Sequence, residues 1–252
     1  MAGVRPWAAL LLAAGLAACG DAGSPVAPRP SPPAWVERTL APRKALGPAG
    51  PALLVLLHGI GADENDLFSL AGEFDQRFRI VSLRAPYDYH SGHAWFRIDF
   101  GADGSITPDA AQANATLADL VHWLDAAPTR FGTDPTRTYL LGFSQGAMMC
   151  VGVLRTAPER VAGVVALSGR ADEAVFRQRA DRDATARVPV FMAHGLSDDV
   201  IRIADARRGR DAFQSLSHDF TWREYPIRHG IDSDEVHDVV TWLTAHLDRP
   251  VN

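Results

Sequence analysis

The sequence predicts an α/β protein: a mostly parallel sheet covered by helices on both faces. Three observations carry this. Short apolar, β-branched runs recur along the chain, and several end in Gly, Ser or Pro. Segments of helical periodicity lie between them. The polar and glycine-rich residues collect at the ends of the runs, where sheets of this kind bind ligands.

The elements follow in order. "VERTLAP" (36–42) reads as a leading edge strand. "ALLVLLHG" (52–59), "FRIVSLRAP" (78–86), "RTYLLGFS" (137–144), "VAGVVALSG" (161–169), "VPVFMAHG" (188–195) and "FTWREYP" (220–226) are the main strands. Their unbroken apolarity fits burial on both faces. Helices are expected over about 108–127, 145–156, 202–217 and 233–247. In the first of these, Ala111, Leu117, Leu120, Val121 and Leu124 fall near helical spacing. No internal repeat interrupts the alternation.

The N-terminus reads differently. Arg5 precedes an apolar run of 12 residues, Trp7 to Ala18. That is too short for a bilayer span of about 20 residues and suits a signal peptide. The run ends in "LAAC", and small residues before Cys19 resemble the lipobox of bacterial lipoproteins. The resemblance implies cleavage of residues 1–18 and lipid on Cys19, leaving an exported protein held at a membrane of the cell envelope. "DAGSPVAPRPSPPA" (21–34) has five prolines in 14 residues. With few large apolar side chains it reads as an extended spacer. The expected organisation is therefore a signal peptide (1–18), a lipidated cysteine with a proline-rich linker (19–34), and a catalytic domain (35–252).

Composition narrows the partners. At 47% hydrophobic and 22% charged the chain is an ordinary globular protein. Its net charge of −5 becomes −6 after cleavage, because Arg5 leaves and no acid does (24 basic against 30 acidic). With no basic stripe, nucleic acid is not an expected partner, and "ARRGR" (206–210) reads as a solvated helix face. Cys150, the remaining cysteine, lies in apolar "AMMCVGVL" and is expected buried and inert.

Four strand ends carry the chemistry: "HGIG" (58–61), "GFSQG" (142–146), "HGLSDD" (194–199) and "YPIRHG" (225–230). "GFSQG" fits G-x-S-x-G, a sharp strand-to-helix turn that projects its serine. Gly142 and Gly146 relieve the crowding such a turn creates, and Ser144 sits at a helix N-terminus that favours developing negative charge. A serine hydroxyl needs a base, and the base needs an orienting acid. His229 follows the last strand and can reach Ser144; His237 lies inside a covering helix and is expected to face away. Spacing alone leaves Asp198 and Asp199 level as the acid. The backbone N–H of Gln145 supplies one oxyanion donor, and Ile60 N–H in "HGIG" is the natural second.

In order and spacing, "LLHGIG", "LGFSQGAMM", "ALSG", "HGLSDDVI" and "YPIRHG" resemble the phospholipase/carboxylesterase family of serine hydrolases, which includes the acyl-protein thioesterases. The resemblance runs over about 52–247. It implies the α/β-hydrolase fold and selects Asp198 as the acid beside Ser144 and His229. It implies Ile60 and Gln145 amides as the oxyanion hole, and a carboxylic ester as small-molecule substrate. Short- to medium-chain acyl esters or lysophospholipids are the expected class. Other readings are an exported polyester or feruloyl-ester depolymerase, a serine peptidase, or a binding protein on a retired hydrolase scaffold. In relatives the region of "HSGHAWFRIDFG" (90–101) contributes to the acyl-binding face, which makes Trp95 and Phe96 candidate pocket residues. His90 and His93 lack a third ligand at suitable spacing, so no metal is expected, and the serine mechanism requires no cofactor.

Overall fold

The computed structural model describes residues 34–101, 105–170, 175–176 and 180–249. The segments expected to be a signal peptide and a spacer, with Cys19, lie outside the described residues up to residue 33. A seven-stranded sheet forms the centre. Its members are β1 (Glu37–Leu40), β2 (Ala52–Leu57), β3 (Phe78–Leu83), β8 (Thr138–Phe143), β9 (Gly163–Leu167), β10 (Val190–Gly195) and β11 (Phe220–Tyr225). The order across the sheet is β1-β3-β2-β8-β9-β10-β11. Only β1 runs antiparallel, pairing Glu37 with Leu83 and Leu40 with Ile80. The other strands are parallel, so their carboxyl ends lie along one edge.

Helices cover the sheet: α1 (Ala110–Phe131), α2 (Gln145–Thr156), α3 (Arg182–Arg187), α4 (Ile203–Gln214) and α5 (Ser233–Leu247). The pleat divides each strand between two cores. Leu53, Val55 and Leu57 of β2 pack with α1, α2 and Phe213 of α4. Ala52, Leu54 and Leu56 pack with Val239, Trp242 and Leu243 of α5. Each Leu or Val among these, taken fully out of water, contributes about 1.5–3 kcal/mol.

Two differences from the sequence reading have local causes. Helix α1 continues past Pro128 to a left-handed Gly132. Its last turn is held by Trp123 against Phe131 and by Arg130 on Glu37 of β1. Residues 87–108, with no element assigned before α1, form two antiparallel hairpins. They are β4 (Tyr87–Tyr89) with β5 (Gly92–Ala94), and β6 (Ile98–Phe100) with β7 (Ile106–Pro108). The first is fixed on the loop after β2: Gly61 N–H donates to His93 O and His93 N–H to Ala62 O, both 2.8 Å.

Candidate active site

Ser144 connects β8 to α2 with φ +52° and ψ −113°. A non-glycine residue in such backbone costs of order 1–3 kcal/mol and persists only where its surroundings fix it. Here Ser144 N–H donates to Leu167 O at 2.8 Å. The flanking glycines allow the turn to close. A Cβ on Gly142 would lie 2.4 Å from Gly146 C, and one on Gly146 would lie 1.9 Å from Leu57 O.

The end of β11 brings His229 to this serine. Its Nε2 lies 3.0 Å from Ser144 Oγ and its Nδ1 lies 2.7 Å from Asp198 Oδ2. The carboxylate can only accept, so Nδ1 carries the proton and Nε2 presents its lone pair to the hydroxyl. The ring is also steadied by Phe143, at 5.0 Å between centroids. The arrangement can take a proton from Ser144 and hold the resulting imidazolium beside a carboxylate.

Asp198 is saturated with donors. Besides His229, Val200 and Ile201 N–H donate to Oδ1 at 2.9 and 2.8 Å, and His194 Nε2, which donates to Ile201 O at 2.7 Å, also lies 3.1 Å from Oδ2. Burial alone raises a carboxyl's pKa. Here the hydrogen bonds from His194 and His229 and the Ile201 N–H outweigh it and hold Asp198 well below the usual carboxylate range. Asp199, its neighbour, turns outward to pair with Arg228.

The loop after β2 closes the other side. A Cβ on Gly59 would lie 3.5 Å from Ser144 Cβ, so only one carbon's width separates this backbone from the serine. Beneath it His58 is wholly buried, and burial lowers its pKa to about 4. The neutral ring donates from Nδ1 to Gly59 O at 2.7 Å and accepts at Nε2 from Ala85 N–H at 3.0 Å. Ile60 N–H follows in this loop. Gln145 N–H, the first of α2, is one of the donors a helix leaves without an internal partner.

The profile of the phospholipase/carboxylesterase family matches residues 47–247. The chain belongs to this family. It is an α/β-hydrolase and an enzyme of the serine hydrolase type. Among its relatives, acyl-protein thioesterase 1 of Kluyveromyces lactis is 28% identical over 215 residues, 77% of this chain and 92% of that protein. Esterase YpfH of Escherichia coli K12 is 28% identical over 176 residues, covering 67% and 71% of the two chains. The solved carboxylesterase of Bacillus cereus shares the fold, with TM-score 0.72 at 22% identity over 84% of this chain and 95% of that one.

Within this carboxylesterase fold, the structure brings Ser144, Asp198, His229, Ile60 and Gln145 to one end of the sheet. His237 is exposed on α5 and has no hydrogen bond to Ser144, whose Oγ is met by His229. The expectation for Trp95 and Phe96 needs correction. Both have 0% exposure and pack in the α1–α2 core, so neither presents a surface to an acyl chain. Cys150 is a buried free thiol whose pKa burial pushes up.

Sequence reasoning missed three contributors. His194 and His58 open two of the three "HG" turns, the third being that of His229, and that repeated dipeptide was the available signal. The third is the side chain of Gln145, which spacing gave no means to place.

Proposed function

We propose that this chain is a serine carboxylesterase working through an acyl-enzyme. Ser144 Oγ attacks the ester carbonyl carbon while His229 Nε2 takes its proton. The oxyanion is held by the Ile60 and Gln145 N–H groups. Collapse expels the alcohol, which receives the proton from His229, and leaves the acyl group on Ser144. Water then attacks that ester, giving its proton to His229, and the acid departs as Ser144 is reprotonated. Asp198 keeps His229 in the Nδ1–H tautomer throughout. The observation that carries this reading is the unbroken Ser144–His229–Asp198 hydrogen-bond line at 3.0 and 2.7 Å.

The substrate class is short- to medium-chain acyl esters or lysophospholipids. Relatives named carboxylesterase, esterase and acyl-protein thioesterase support an acyl ester or thioester. A p-nitrophenyl ester series from acetate to decanoate, read as kcat/KM, tests it. The expected result is a maximum between C2 and C10, and hydrolysis of feruloyl esters or peptides in preference to all of them would refute the class.

The protein is further proposed to be an exported lipoprotein anchored through Cys19. The apolar run before Cys19 and the proline-rich spacer support this. The pairing of Glu37 with Leu83 also brings the chain into the sheet at its carboxyl end. A tether ahead of Ala34 would thus join the domain on the side of Ser144. Fractionation should find the full chain with membranes and Cys19→Ala released; a membrane-bound Cys19→Ala chain contradicts the anchor.

A further inference from the structure

The carboxamide of Gln145 is 1% exposed for the residue and has both of its ends engaged. Its Oε1 accepts from Trp95 N–H at 2.8 Å, and its Nε2 donates to Phe96 O at 2.6 Å. It thus reads two successive backbone groups, as a neighbouring strand would. The same segment grips the loop of Ile60. Trp95 Nε1 donates to His58 O at 2.8 Å. His93 brackets the far side of Ile60 through its backbone bonds to Gly61 and Ala62. Gly92 sits against Gly61 so closely that a Cβ would lie 2.0 Å from Gly61 O.

A closed ring results. It runs from the start of α2 through the Gln145 side chain to Trp95 and Phe96. From there it passes through the Trp95 indole and the His93 backbone to the His58–Ala62 loop, and returns where this backbone meets Gly146 of α2, a Cβ on which would lie 1.9 Å from Leu57 O and 2.7 Å from His58 O. The two amides that face a developing oxyanion sit on opposite members of this ring. Ile60 N–H belongs to the loop and Gln145 N–H to the helix.

We infer that the side chain of Gln145 is a positioning residue that fixes the separation of the two oxyanion-hole amides. The ring explains why the residue must carry a donor and an acceptor on one planar group. A methionine fills the same space but leaves Trp95 N–H and Phe96 C=O buried without partners. A glutamate accepts from Trp95 N–H yet sets a carboxylate oxygen against Phe96 O. In either case the 92–96 segment, and the loop it holds, are free to shift relative to α2. It also gives Trp95 and Phe96 a task suited to their burial: they form the brace behind the site.

This inference rests on Ser144 being the nucleophile. Its test uses Gln145→Met and Trp95→Phe in the full chain, each checked for folding by circular dichroism. Removing one oxyanion donor outright costs about 10²–10³ in kcat, so displacing one should cost less. Gln145→Met is expected to lower kcat about 10- to 100-fold, with KM little changed. A trifluoromethyl ketone, whose serine adduct carries an oxyanion, should lose affinity by the factor lost in kcat/KM. The corresponding secondary alcohol should bind as before, and the pH profile of kcat/KM should not move. Trp95→Phe, which cuts the ring at His58 O, should show the same pattern several-fold weaker. It decides the matter alone if Gln145→Met does not fold. Unchanged kcat in the folded variants overturns the inference, as does a loss confined to KM or accompanied by a moved pH profile. Wild-type activity that survives Ser144→Ala would instead sink the reading of the nucleophile, so the two failures are distinguishable.

Discussion

Asp198 precedes and Glu235 follows His229 in the chain, and both carboxyl groups are out of solvent. As residues, Asp198 is 7% exposed and Glu235 0%. Their chemistry is opposite. Asp198 receives hydrogen bonds from His229, Val200 and Ile201, with His194 Nε2 a further 3.1 Å from Oδ2. Glu235 stands third in α5, where a capping-box glutamate would reach back to the N-cap. Asp232 does accept from Glu235 N–H at 2.9 Å. The reciprocal bond is absent: neither Glu235 oxygen has a hydrogen-bond partner among the described residues. Burial, reinforced by the charge of Asp232, raises its pKa well above the ordinary value. Two buried carboxyl groups thus shift in opposite directions: donors hold Asp198 low, while deeper burial without a donor pushes Glu235 up.

The largest break in this contrast is Asp198→Asn. An amide turns one of two acceptor oxygens into a donor facing donors. His229 is then driven to the other tautomer, whose Nε2–H cannot take the Ser144 proton. We expect kcat to fall about 10⁴-fold and stability to fall by about 1–3 kcal/mol, read by ester hydrolysis and urea denaturation.

Glu235→Gln should do the reverse, and more gently. Because its folded pKa is raised, folded Glu235 holds its proton where the unfolded chain has lost it. Its effect on stability is neutral below the unfolded value near about 4.3. As pH rises from there through the folded pKa, stability falls by up to about 1.4 kcal/mol per pH unit. Glu235→Gln should remove this slope, so its gain over wild type grows from pH 5 to pH 8 in urea denaturation. A gain that stays constant with pH would show that Glu235 is ionised in the fold. Asp198 has the opposite sign: its depressed pKa stabilises the fold above the unfolded value and fails only in strong acid. The smallest effect belongs to Asp199→Asn. This exposed group pairs with exposed Arg228, and kcat/KM should be unchanged.

The parallel strands were legible because burial on both faces leaves unbroken apolar runs. Ser144, His229 and Asp198 were legible through order and motif, and the strained turn at Ser144 has the form G-x-S-x-G predicts. The hairpins at 87–108 were not, since three-residue strands of mixed polarity carry no period. Trp95 and Phe96 show the same limit: an aromatic pair beside a strand end reads alike whether it lines a pocket or supports one. The acceptance of His194 by Asp198, and the orphaned Glu235, depend on approaches between strands and helices far apart in sequence.

The most direct measurement of the central claim is the mass of the Ser144 peptide after reaction with a fluorophosphonate. The account predicts a single stoichiometric adduct on Ser144, lost in Ser144→Ala together with ester hydrolysis. Labelling elsewhere with Ser144 unmodified, or hydrolysis that persists in Ser144→Ala, would contradict it.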